Sequence, residues 1–193
     1  MKKGDLILAA LFLMIFLPFI FAESLFDQYR DLNKAYPYIL SFVKFFILAS
    51  LGEILGHRIK TGGYYLKGFG LIPRAIVWGF LGLSIKMAFV IFGQGAPHML
   101  QTMGLNFPTD NPADILETNF LTEGSWLQFL SAFTVSTTLN VFFAPVFMTV
   151  HKITDTHILM NKGKLLMCFR PIQIRKIITE MNWSVQWNFV FKK

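Results

Sequence analysis

Four long apolar stretches alternate with polar linkers along this chain. The stretches run over Leu6 to Ala22, Pro37 to Leu55, Leu71 to Phe92 and Trp126 to Val150. Each approaches or exceeds the roughly 17–25 apolar residues that an α-helix needs to cross a bilayer. The pattern therefore predicts an all-α polytopic bundle of about four transmembrane helices, which forms a single integral membrane domain over residues 1–193.

The charges of the linkers indicate how the helices are oriented. The three linkers carry net charges of −1, +3 and −4 in chain order, and the residues from His151 onward carry +6. Because Lys and Arg are retained on the cytoplasmic side of a membrane, this alternation predicts that both termini are cytoplasmic. Residues 151–193 also combine lysines with aromatic residues such as Trp187, which predicts an amphipathic basic tail at the membrane surface.

Composition narrows the class of protein and its partners. Hydrophobic residues make up 54% of the chain, whereas soluble domains contain about 45–50% apolar residues even when Gly is included. Since most of the net charge of +7 lies beside the ends of spans, we expect it to contact anionic lipid headgroups rather than nucleic acid. Cys168 is the only cysteine, so no intrachain disulfide can form and a reduced thiol is expected.

The first apolar stretch allows two interpretations. Lys2 and Lys3 followed by an apolar run also occur at the start of secretory signal peptides, but the core of a signal peptide is only about 7–15 residues long. The longer run here favours a retained membrane span. The chain does not open with an Arg- and Ser-rich import sequence, so we expect a bacterial cytoplasmic membrane, with an organellar membrane as the alternative.

Polar side chains inside the spans are candidates for a lining. At about 1.5 Å per residue, Lys44 and Lys86 lie roughly 10 Å and 9 Å below the predicted outer ends of the second and third spans. Charged groups at such depth usually face a bundle interior or a water-filled cavity. Lys44, Lys86 and Asn140 are therefore pore-lining candidates for anions or small polar solutes. The alternative is that both lysines extend along their aliphatic stems to the membrane surface.

Two further sets of residues predict contacts between helices. Glu53 and Arg74 each lie roughly 4 Å from the inner end of their span, so they are expected to pair, either at the inner mouth of a passage or as a structural interaction. Small residues allow helix backbones to approach closely. The candidate packing positions are Gly52 and Gly56 in the second span and Gly79 and Gly82 in the third.

The sequence contains few residues arranged as in a catalytic or metal-binding site. His151, Asp155 and His157 form the only local cluster of titratable residues that resembles a ligand set, but His157 lies off the helical face shared by the other two. No metalloprotease or comparable ligand motif surrounds them, and the glycine runs lack the residues of a nucleotide-binding loop. We therefore expect no catalytic residues, no metal and no cofactor.

The third linker, residues 93–125, is long enough to have its own structure. Thr109-Asp110-Asn111-Pro112 is a turn signal. The segment Pro112 to Phe120 can begin a short helix with acidic residues in its first turns, where the helix dipole favours them. A mobile, solvated loop is the alternative.

Three motifs resemble those of the peroxisomal and mitochondrial inner-membrane family of small four-span proteins. The motifs are Leu51-Gly52-Glu53-Ile54-Leu55-Gly56, the stretch Gly70 to Gly82 with Arg74 and Trp78, and Leu139-Asn140-Val141-Phe142-Phe143-Ala144-Pro145. The family's Gly-acid element would correspond to Gly52-Glu53. Its amide before Ala-Pro would correspond to Asn140. The resemblance covers roughly residues 36–150 in scattered pieces.

The chain departs from that family in two places. The helix Leu6 to Ala22 precedes the family's usual first span, and the family's Trp-Pro element would fall beyond Asn188, so we expect this version to lack the final span. The resemblance implies a channel-like protein that modulates permeability to small solutes. Because four thin helices leave little room for a wide pore, a homo-oligomer is expected. The alternative is a non-conducting scaffold or subunit that holds a membrane protein partner.

Overall fold

The described chain is built from helices. The computed structural model describes residues 3–64, 68–118 and 124–164. Within these ranges the helices are α1 (Lys3–Phe21), α2 (Glu23–Ala35), α3 (Pro37–Thr61), α4 (Leu71–Thr102), a 3₁₀ helix (Pro112–Leu116), α5 (Trp126–Thr138), a π-helical segment (Leu139–Phe143) and α6 (Ala144–Met160). Helices α1, α3, α4 and the continuous run from α5 to α6 are long and apolar enough to cross a membrane. The predicted all-α fold with four such helices is confirmed.

Some sequence-based predictions fall on residues outside the described ranges. These are the reduced thiol of Cys168 and the surface tail beyond Lys164, including Trp187. The cytoplasmic position of both termini stays a prediction. Residues 151–160, which the sequence analysis assigned to the tail, belong instead to α6.

The helix of the third apolar stretch extends beyond Phe92, where the sequence predicted the span to end. Helix α4 continues to Thr102 and includes Pro97. The reason is visible in the spacing of Ala88, Phe92, Ala96 and Leu100, which recur every fourth residue and so share one helical face. Ala88, Ala96 and Leu100 are buried. Burial of this face stabilises the helix across glycines and a proline that suggested a loop.

Helix α2 occupies most of the first linker. The sequence analysis treated residues 23–36 as a connection, whereas Glu23–Ala35 is helical. Its apolar residues Leu25, Phe26 and Leu32 are spaced to share a face, with acidic and basic residues opposite. None of its residues is buried, so α2 is an amphipathic helix between two spans.

The long third linker contains the short helix that its turn signal predicted. The Asn111 side chain accepts a hydrogen bond from the backbone N–H of Ala113, which caps the 3₁₀ helix Pro112–Leu116. Asn111 Nδ2 also donates to Asp114 Oδ1 at 2.6 Å. Farther on, Gln128 Nε2 donates to the carbonyl of Thr118 at 2.7 Å. These bonds connect the linker to α5.

The chain divides into two compact units. The first comprises residues up to Leu83 together with those from Ile153 onward, and the second runs from Ser84 to Lys152. The core of the second unit contains Ala88, Ala96, Val135 and Leu139. The single membrane domain stays a prediction.

In the first unit, the connection between α3 and α4 packs against the turn that follows α6. Gly70 and Gly163 have positive φ angles of +68° and +64°, which residues other than glycine rarely adopt. A Cβ added to Gly70 would lie 2.7 Å from the Cα of Gly163 and 2.7 Å from Cγ2 of Ile158. The two backbones therefore meet at a contact that has no room for a side chain at Gly70.

Candidate functional site

Arg74 is a buried charged residue of the first unit. It lies in the first turn of α4, where its backbone N–H donates to the carbonyl of Gly70 at 3.1 Å. The residue is only 6% exposed. A positive charge at this end of a helix opposes the helix dipole, and a buried charge needs partners. Arg74 therefore depends on the acceptors around it.

Two carboxylates and one carbonyl supply those acceptors. Arg74 Nη1 donates to Glu53 Oε2 at 3.1 Å and also contacts the carboxylate of Asp155. Arg74 Nε donates to the backbone carbonyl of Phe69 at 2.8 Å, and the Phe69 ring centroid lies 4.4 Å from the guanidinium carbon. The predicted pair of Glu53 and Arg74 is confirmed, while Asp155 was missed as a partner because the sequence analysis ended the last span at Val150.

Glu53 has a second donor one helical turn along α4. Trp78 Nε1 donates to Glu53 Oε1 at 3.2 Å, so the two oxygens of one carboxylate receive hydrogen bonds from Arg74 and Trp78. Residues four apart on a helix share a face, which explains why these two side chains reach the same carboxylate. The sequence analysis quoted Trp78 only as part of the family resemblance.

A cavity of about 550 Å³ adjoins this network. We call it the Arg74 cavity. Its walls are formed by small residues of α3, by the polar side chains just described, and by aromatic and basic residues nearby. The lining residues are Ala49, Gly52, Glu53, Gly56, His57, Lys60, Phe69, Arg74, Trp78 and Asp155. Its volume falls within the roughly 300–1,000 Å³ of small-molecule sites.

The chemistry of the Arg74 cavity suits a small polar molecule. Within the described residues, the hydrogen bonds of Arg74 run from Nε and Nη1, which leaves the two protons of Nη2 for a ligand. The formal charges of the lining cancel, since Lys60 and Arg74 oppose Glu53 and Asp155. Among the residues that the structure describes, no three His, Cys, Asp or Glu side chains come together as a metal site.

The four predicted packing glycines behave in two ways. A Cβ added to Gly79 would lie 2.5 Å from Cε2 of Phe42, and one added to Gly82 would lie 2.6 Å from Cβ of Phe45. These two glycines therefore allow α4 to approach α3, as predicted. At Gly52 and Gly56 an added Cβ would meet nothing within 4 Å. Within the described chain both glycines border the Arg74 cavity, and a tight contact of another helix with them stays a prediction.

The ammonium group of Lys44 is held by α2. Lys44 Nζ donates to Asn33 Oδ1 at 2.9 Å and to the Tyr29 hydroxyl at 3.1 Å, and it lies 5.5 Å from the centroid of the Tyr29 ring. The interpretation of Lys44 as an unpaired charge was wrong, since two polar groups of α2 bind it. Its place in a pore lining, and the alternative that the lysine extends along its aliphatic stem to the membrane surface, stay predictions.

The other two lining candidates belong to the second unit. Lys86 lies on α4 and is half-buried. Asn140 lies in the π-helical segment, where Nδ2 donates to the carbonyl of Ser136 at 2.8 Å. A shared polar lining of these residues with Lys44 stays a prediction.

A second ionic cluster connects α1 with α3, and the sequence analysis did not find it. Arg58 binds Asp5 through two hydrogen bonds, Nε to Oδ1 at 2.7 Å and Nη2 to Oδ2 at 3.0 Å. The hydroxyl of Tyr64 donates to the same carboxylate. Burial, together with the hydrogen bond to Asp5, raises the pKa of Tyr64 above its ordinary value. Opposite charges at residues 5 and 58 were visible in the sequence, but only the fold brings them together.

Four helices of this length and hydropathy are compatible with an integral membrane protein. No family model, curated protein or solved structure matches the chain. The resemblance to the peroxisomal and mitochondrial inner-membrane family therefore stays a prediction from the motifs.

Proposed function

We propose that this protein is a channel-like or carrier-like membrane protein for small polar solutes, and that the solute binds in the Arg74 cavity. The proposal rests on one observation: the buried Arg74, whose Nη2 protons can donate to a ligand, lines the same cavity as Gly52 and Gly56, where an added Cβ would meet nothing within 4 Å. Ionisable groups within membrane-spanning helices are expensive and usually mark a pathway for solutes or ions. In this protein, a solute can contact these ionisable groups in the Arg74 cavity.

The balance of charge in the cavity favours neutral or zwitterionic solutes over anions. Arg74 shares its charge with Glu53 and Asp155, so a chloride ion would compete with two carboxylates for the same guanidinium. A small solute with both donors and acceptors can bind Nη2 of Arg74 and a carboxylate together. Glycine and glycerol are suitable probes of this class.

The test is to fill the cavity without disturbing the fold. Gly56→Leu adds a side chain where nothing lies within 4 Å, and leucine is a better helix former than glycine. Gly93→Leu is the matched control, because an added Cβ there also meets nothing within 4 Å and Gly93 does not line the cavity. In purified proteoliposomes, stopped-flow uptake of glycerol and glycine should fall to background for Gly56→Leu and match the unaltered protein for Gly93→Leu.

Two results would overturn the proposal. Uptake by Gly56→Leu vesicles equal to that of Gly93→Leu vesicles would mean that solutes do not use the cavity. Vesicles containing folded, unaltered protein that are no more permeable than protein-free vesicles would exclude passage of these solutes altogether.

The second result would favour the alternative, a non-conducting scaffold. The specific observation for this role is that α3 presents Gly52 and Gly56 without a helix against them in the described chain, and such small-residue faces allow close approach of another helix. A stoichiometric subunit that copurifies with Gly93→Leu but is lost from Gly56→Leu would support it.

A further inference from the structure

The second unit contains an apolar cavity that is separate from the Arg74 cavity in its lining. Its volume is about 580 Å³, and it is lined by residues of α4, the 3₁₀ helix and the run from α5 to α6. Phenylalanines at 89, 143 and 147 contribute to its walls. Of the described residues that line it, only Ser136 and Asn140 are polar. An apolar ligand that enters this space therefore meets one polar edge.

That polar edge lies where the helix is irregular. In a regular α-helix the N–H of Ala144 would bond to the carbonyl of Asn140, and the N–H of residue 145 to the carbonyl of Val141. Here the N–H of Ala144 bonds instead to the carbonyl of Leu139, and Pro145 has no N–H to offer. The carbonyl of Asn140, which lines the cavity, thus loses its ordinary donor Ala144, and residue 145, the next along the π-helical register, has no N–H to replace it.

The Asn140 side chain does not restore those bonds. Its Nδ2 donates to the carbonyl of Ser136 at 2.8 Å, so its Oδ1 is a further acceptor beside the backbone carbonyl of Asn140. In a membrane, irregular backbone needs a partner for every freed polar group. π-Helical segments of this kind occur often at functional sites. The edge of the cavity is therefore rich in acceptors and needs a donor.

We propose that the second-unit cavity binds an apolar alcohol, a long-chain or ring hydrocarbon that bears a single hydroxyl group. The hydrocarbon packs among the phenylalanines, and the hydroxyl donates its one proton to an acceptor of Asn140. A hydrocarbon chain alone would leave these acceptors unbonded. Water can donate to the acceptors at the edge, but the remaining walls are apolar and offer none of the two to four polar partners that each further buried water needs.

The probe is a dodecan-1-ol that carries a photoreactive diazirine, applied to the full chain in phosphatidylcholine nanodiscs. Labelling should map to residues that line the cavity. It should be competed by dodecan-1-ol at least ten times more effectively than by 1-methoxydodecane, which has the same chain but no donor. Equal competition by the two compounds would overturn the proposal, because the hydroxyl would then contribute nothing.

Pro145→Ala tests the acceptors directly. Alanine restores a backbone N–H and is the best helix former, so the variant should fold and lose the preference for the alcohol over the ether. Pro18→Ala is the matched control, since Pro18 is also inside an apolar helix, and that helix contributes no residue to the lining of this cavity. An unchanged preference in Pro145→Ala would contradict the proposal. Loss of labelling on dimerisation of the protein would also contradict the proposal, because a second copy of the chain would then occupy the cavity.

Discussion

The contact between α3 and α4 at Gly82 offers a sharp test of the fold. In Gly82→Ala the added methyl would lie 2.6 Å from Cβ and 2.7 Å from Cγ of Phe45, whereas ordinary contact begins at 3.4 Å. The Cβ of Phe45 cannot swing away by rotation of the side chain, because it is bonded directly to the backbone of α3. The two helices must therefore move apart locally.

The magnitude follows from a comparison with Gly52→Ala. Both substitutions gain about 1 kcal/mol from the better helix propensity of alanine, so this contribution cancels between them. Gly52→Ala meets nothing within 4 Å, whereas overpacking at Gly82 costs about 1–3 kcal/mol. We expect Gly82→Ala to be less stable than Gly52→Ala by this amount. Gly79→Ala should lie between them, because its clash is with the far end of the Phe42 ring.

Reversible unfolding by SDS in mixed micelles measures this difference. Circular dichroism of each variant before unfolding verifies that the helix content is unchanged. If Gly82→Ala is as stable as Gly52→Ala, the close approach of α3 and α4 is refuted, and with it the arrangement that brings Glu53 to Arg74.

Three further predictions concern the loops and α2. Gly70→Ala should destabilise the protein more than Gly104→Ala in the same unfolding assay. Each substitution places alanine at a positive φ, which costs about 1–2 kcal/mol. Only the alanine at position 70 also clashes with its neighbours, at a further cost of about 1–3 kcal/mol, since a Cβ at Gly104 meets open space. Lys44→Met should speed hydrogen exchange of α2 amides, because the bonds from Lys44 to Tyr29 and Asn33 are lost; exchange as slow as in Lys86→Met would contradict that role. The raised pKa of Tyr64 means that its contribution to stability is present below the unfolded-state pKa of about 10 and is lost as the pH rises through the folded value. The difference in stability between the unaltered protein and Tyr64→Phe should therefore shrink as the pH rises above about 10, and a constant difference would contradict the burial of Tyr64 beside Asp5.

The sequence predicted those parts of the fold that depend on local apolar pattern. Four apolar runs predicted four long helices, and these are present. The ends of the helices were less predictable. Gly93 and Pro97 suggested a loop, but burial of Ala96 and Leu100 outweighs their low helix propensity. Helix α2 was not predicted, because its many charged residues are also typical of a polar linker and only a few apolar residues have helical spacing.

The candidate site was predicted only where its members lie on adjacent helices. Glu53 and Arg74 have similar depth in consecutive spans, so their pairing could be inferred from helix geometry. Asp155 is on α6, and nothing local in the sequence brings that helix to the start of α4. Depth alone also misjudged Lys44, because the polar groups that bind it belong to a helix that the sequence analysis did not identify.

The network of Arg74, Glu53 and Asp155 joins parts of the chain that are synthesised at different times. Glu53 and Arg74 are 21 residues apart, so the two helices that carry them can enter the membrane as one hairpin in which opposite charges offset each other. Asp155 is translated much later. Until α6 arrives, the nascent first unit holds its arginine with one carboxylate instead of two. The network of the first unit is therefore complete only when α6 docks onto the hairpin of α3 and α4.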